Sequence, residues 1–182
     1  MEHLLSNKGE IESLIHDAEV LLREGRMNEA QDIVIPLIPH IADCAEFVEH
    51  ERNRVKMRLY QILMEVPGFR FCEPEKIDAM TAMQHIFRMT QEYTLAERLQ
   101  AHVIYAHVKP DTPRGEEQNE FYALKTANEV LEHIASDDRL CALAHHLICS
   151  RIPLKEEKQK HMEDFFQKDI IHLIRTTIYM PK

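Results

Sequence analysis

Two cysteines and a histidine recur at four-residue intervals toward the end of the chain, at Cys141, His145 and Cys149. On a helix this spacing places all three on nearly one face, and thiolate and imidazole are the ligands that zinc prefers. The two cysteines would lie about 12 Å apart along the axis, from a rise of ~1.5 Å per residue. They therefore cannot form a disulfide with each other, and only neighbouring pairs could chelate, with a second helix completing the set. The alternative is an inward-facing stripe of small side chains.

Four basic residues lie close together in an otherwise acidic chain, at Arg52, Arg54, Lys56 and Arg58. Runs of this kind are usually solvated faces. Arg52 differs, because it occupies a position on the apolar stripe of its predicted helix, where a buried guanidinium requires a carboxylate. If no internal Asp or Glu meets it, the carboxylate or phosphate of a ligand can do so. We therefore take these four residues as candidate partner-binding residues.

Glutamate precedes histidine by four residues at four places: Glu12/His16, Glu46/His50, Glu129/His133 and Glu157/His161. Di-iron bundles instead use histidine three residues after glutamate, together with two further glutamates on other helices. The pairs also suit exposed helical faces where they reduce charge repulsion. The chain contains no glycine-rich phosphate loop, Gly-x-Ser-x-Gly, His-Glu-x-x-His or Cys-x-x-Cys motif. We expect no cofactor and no catalysis.

Length and composition suit one helical domain over residues 1–182. Hydrophobic residues make up 45% of the chain and charged residues 29%, with 4 glycines and no tryptophan. The net charge of −9 disfavours nucleic acid and anionic membranes as partners. The beginning of the chain lacks the pattern of a secretory signal, and prolines interrupt the longest apolar run, over 33–42. We expect a soluble, cytoplasmic protein with reduced cysteines.

Apolar spacing predicts an all-α fold of about eight helices, arranged as antiparallel hairpins in a short superhelix or an irregular bundle. No run alternates as a strand would. The first predicted helix covers about 8–24, and the second begins at Asn28 and is kinked or ended by Pro36. The third runs from Ile41 to Val66 with Val48 on its inward stripe, the fourth begins at Pro74, and the fifth runs from a Thr94–Glu97 capping box to Lys109. The sixth begins at Thr112–Pro113, the seventh covers 138–150, and the last begins at Pro153.

The first two helices form the most specific pattern in the chain. Apolar or small residues recur on both sides of a glycine turn, at Leu14, Ala18, Leu21, Gly25, Ala30, Val34 and Leu37. Small side chains allow two helices to approach, and glycine relieves the turn between them. With Arg26, Met27 and Glu29, the pattern resembles a tetratricopeptide repeat over residues 11–37. A degenerate second candidate spans 128–149, with Asp137-Asp138 in place of the glycine turn.

The resemblance implies a protein-binding, non-enzymatic function, and a likeness to carboxylate-clamping repeat domains implies Arg52 as the preferred contact. The leading hypothesis is an interaction module that binds a peptide or protein in a helical groove, as a regulator or chaperone. A second hypothesis is a metal-binding or ligand-sensing protein that uses the Glu, His and Cys pairs. A third is a structural protein that forms a homodimer through its apolar last helix.

Overall fold

The computed structural model describes residues 7–108 and 116–151, with the side chains of the second range described from 122 to 148. These residues form helices and no strand, which confirms the all-α prediction. The helices are α1 (Lys8–Arg23), α2 (Met27–Val34), α3 (Leu37–Asp43), α4 (Glu49–Glu65), α5 (Glu73–Arg88), α6 (Leu95–Val108), α7 (Glu116–His133) and α8 (Asp138–Arg151). The start predicted at Thr112–Pro113 and the helix predicted from Pro153 lie outside the described residues. Within the described part, no helix is both long and apolar enough to cross a membrane.

Helices α1 and α2 form the predicted hairpin. Gly25, between them, has a φ of 79°, a backbone conformation that residues other than glycine rarely adopt. The amide of Gly25 donates to the carbonyl of Leu22 and the amide of Arg26 to that of Leu21, which is a Schellman ending for α1. Ala18 and Ala30 are fully buried across the interface. The hairpin is confirmed, whereas its likeness to a repeat stays a prediction.

The predicted third helix is wrong at its beginning. Pro36 ends α2 as expected, but α3 follows it and contains Ile41, which we had assigned to the next helix. The chain then leaves helical geometry at Cys44 and re-enters it after Val48, which has extended φ and ψ angles of −75° and 160°. Apolar periodicity continues through this loop because Phe47 still packs into the core, at 4% exposure. Periodicity alone therefore merged two helices.

The capping box predicted at the start of α6 is confirmed. The backbone amide of Thr94 donates to the carboxylate of Glu97 at 3.0 Å, and the amide of Glu97 donates to the Thr94 hydroxyl at 3.1 Å. Two of the four unpaired amides at the helix start are thereby satisfied. The same Glu97 carboxylate also reaches α4, as described below.

The buried apolar side chains fall into two clusters that both include residues of α6. The larger cluster contains residues of all the helices from α1 through α6, and the smaller cluster contains residues of α6, α7 and α8. Helix α4 lies at the centre of the larger cluster, in contact with α1, α2, α3, α5 and α6. A helix surrounded in this way must satisfy its polar side chains against its neighbours.

Candidate interaction surface

The last two basic residues of α4 form ion pairs with neighbouring helices. The guanidinium of Arg58 donates two hydrogen bonds to Glu19 of α1, at 2.7 and 3.0 Å, and this carboxylate is nearly buried, at 4% exposure. The ammonium of Lys56 lies 2.7 Å from Asp78 of α5, whose other oxygen accepts the Tyr60 hydroxyl at 2.5 Å. Burial, followed by this hydrogen bond, raises the pKa of Tyr60 well above its usual range. Two helices are thus held to α4 by directional contacts.

Arg54 holds the loop between α5 and α6. Its guanidinium binds both oxygens of Glu97, at 2.6 and 3.3 Å, and the carbonyl of Glu92 at 2.7 Å. It also lies over the ring of Tyr93, 5.1 Å from the centroid. The hydrogen bond to Glu97 raises the pKa of Arg54. Burial would raise the pKa of Glu97, but hydrogen bonds from Arg54 and Thr94 hold it below its ordinary value of 4.5.

Arg52 holds the loop between α3 and α4. One terminal nitrogen of its guanidinium donates to the carbonyls of Cys44 and Phe47, at 3.0 and 3.2 Å. Its Nε atom is buried and makes no hydrogen bond within the described part of the chain. No carboxylate in that part lies within ion-pair distance of it. Arg52 therefore satisfies loop carbonyls that would otherwise lack donors.

Each of the four cations has at least one acceptor within the described part of the chain, although Nε of Arg52 has none there. Residues two apart alternate between opposite sides of a helix, and α4 has neighbours on several sides. Each cation therefore meets an internal acceptor on a different element. The four cations are neighbours in the sequence, but their acceptors lie on other elements, between positions 19 and 97. Arg52, Arg54, Lys56 and Arg58 act here on the fold, and a direct role in partner binding stays a prediction.

A polar network joins the first turn of α4 to the last turn of α5. The side-chain amide nitrogen of Asn53 lies 3.0 Å from Nδ1 of His85, and the hydroxyl of Tyr93 lies 3.0 Å from the same atom. An amide nitrogen only donates, so Nδ1 accepts, and the proton of a neutral ring lies on Nε2. Nε2 lies 3.6 Å from Glu49. Burial is the main cause of the raised pKa of Tyr93. The network sets the register of the two helices.

That register brings two exposed apolar side chains to the same end of the helix pair. Asn53 and Glu49 both face His85, so the residue one turn beyond His85 lies opposite the beginning of α4. Met89 occupies that position and is 44% exposed, and Val48, immediately before α4, is 51% exposed. We call Val48 and Met89, with the flanking carboxylates of Glu46, Glu49 and Glu92, the loop-end surface. The sequence placed Val48 on a buried stripe because the loop was not foreseen.

Charged side chains of both signs lie around these apolar residues. Glu49 has a side chain that is 77% exposed, with His85 as its one ion-pair neighbour in the described part. Glu92 is exposed, and its backbone carbonyl accepts a hydrogen bond from Arg54. Glu46 is exposed as well and accepts a hydrogen bond from the backbone amide of Lys8. Arg88, next to Met89, is exposed, and the ammonium of Lys8 lies 5.8 Å from the centroid of the Phe47 ring, next to Val48 in the chain.

The residues proposed as metal ligands are only partly described. Cys141 is buried, and its thiol donates to the carbonyl of Ile134 at 3.5 Å. His145 is half-buried one turn further along α8, and the side chain of Cys149 lies outside the described residues. In the part that is described, no three His, Cys, Asp or Glu side chains are arranged to hold a metal ion. The Cys-His-Cys set stays a prediction.

The Glu-His pairs find other contacts. Glu129 lies 3.9 Å from Arg98 of α6, and the His133 ring lies 3.9 Å from its neighbour Glu132. His16 lies 4.0 Å from Glu19, three residues away. The fourth pair, Glu157/His161, lies outside the described residues.

Comparison of the chain with protein-family models, with curated proteins and with solved structures gives no match.

Proposed function

We propose that this protein is a non-catalytic interaction module that binds a segment of a partner protein on the loop-end surface. The observation that carries the proposal is the exposure of two large apolar side chains, Val48 just before α4 and Met89 just after α5, where the two helices come together. Exposed apolar residues that lie together, with a polar rim, are typical of protein-binding sites. The resemblance of residues 11–37 to a tetratricopeptide repeat supports the same class of function.

The loops that carry these side chains are held in place before any partner arrives. Arg52 ties the loop before α4 to that helix, and Arg54 does the same for the loop after α5. A surface that is ordered in advance loses less conformational entropy on binding. In this proposal Arg52 and Arg54 hold the loops that carry the surface.

Substitution of both apolar residues by serine tests the proposal. Val48→Ser should not weaken the fold, since serine is favoured at the position before a helix and valine makes no capping bond there. Met89→Ser changes an exposed residue at the end of α5. Wild type and V48S/M89S would be used to select binders from a display library of random peptides, with circular dichroism confirming equal helix content.

We expect wild type to enrich a family of peptides that V48S/M89S does not enrich. Ile77→Ser is the matched control, because Ile77 is 62% exposed on α5 but lies away from the loop end. I77S should select the same peptides as wild type. Equal enrichment by wild type and V48S/M89S, or no enrichment by wild type, contradicts the proposal.

A further inference from the structure

We draw no further inference here: the strongest candidate, the row of polar side chains Arg54, Arg58 and Gln61 that α4 directs toward α1 and α6, carries none, because each of these side chains already forms a hydrogen bond with one of those two helices and nothing in the described part of the chain shows what would cover the row.

Discussion

The two apolar clusters are built by different means. The larger cluster contains bulky side chains such as Tyr60 of α4 and Phe87 of α5, and ion pairs and hydrogen bonds connect α4 to its neighbours. In the smaller cluster, Ala123, Ala127 and Ala144 are fully buried and bring α6, α7 and α8 close together. Polar contacts therefore fasten α4 to its neighbours in the first region, whereas in the second region small side chains pack the helices closely, with the Arg98–Glu129 contact between α6 and α7 beside them.

The difference bears on where function resides. The loop-end surface belongs to the first region, in which two loops are held by arginines of a central helix. Because hydrogen bonds hold these loops in place, the apolar side chains that the loops carry need not be buried to keep them ordered. The four predictions that follow test the comparison, in order of decreasing expected effect.

The largest loss of stability is expected for Arg58→Ala. It would leave the carboxylate of Glu19, which is nearly buried, without its cation, at a cost of about 3 kcal/mol in the free energy of unfolding. Urea denaturation measures this. The double variant E19M/R58M removes both charges and should recover most of the loss. An R58A variant as stable as wild type would show that this ion pair does not fasten α4 to α1.

Overpacking is the corresponding way to break the second region. Ala127→Leu adds volume at a fully buried position on α7 and should cost about 2 kcal/mol, with little dependence on salt because no charge is involved. The control is Asn128→Leu, at the exposed neighbouring position of the same helix. If A127L and N128L are equally stable, close packing does not hold the smaller cluster together.

The variant Glu97→Gln tests the polar contacts of the first region through the pH dependence of stability. Removal of the charge that Arg54 and Thr94 bind should cost about 1 kcal/mol near neutral pH. The pKa of Glu97 is lowered in the folded state, so its contribution is complete above 4.5 and is lost as the pH falls through the lower folded value. The stability gap between wild type and E97Q should therefore close in acid. A gap independent of pH would contradict the assignment.

The smallest effect is expected for Arg26→Ala. Arg26 forms ion pairs with Glu24 and Glu29 at the hairpin turn, but all three side chains are exposed. Exposed pairs gain little, because water screens them and ordering two long side chains costs entropy. Thermal melts of R26A and wild type should coincide. A clear loss would mean that surface pairs matter as much as the buried pair of Arg58.

Local patterns foretold much of the helical structure. The glycine turn at Gly25, the capping box at Thr94 and Glu97, and the break at Pro36 all depend on residues within four positions of one another. Such interactions need no knowledge of the rest of the chain. The pattern was misleading between Ile41 and Val48, where a loop continues the apolar spacing of the helices beside it.

The candidate surface was harder to predict from the sequence than the helices were. The basic cluster of α4 drew attention for its charge, yet its acceptors lie in α1, α5 and the loops before α4 and α6. Val48 and Met89 carry no motif, and both are ordinary apolar residues in a chain where such residues are usually buried. Their exposure depends on where α4 begins and where α5 ends.

The sequence by itself determined that this chain is helical and where most of its helices begin and end, because caps, turns and apolar periodicity are short-range effects. Only the tertiary structure decided which cations are satisfied internally and which apolar side chains stay in solvent. Those outcomes depend on residues far apart in the chain meeting across helix interfaces. The contact of Glu19 with Arg58 and the exposure of Val48 and Met89 are outcomes that spacing along the chain does not encode.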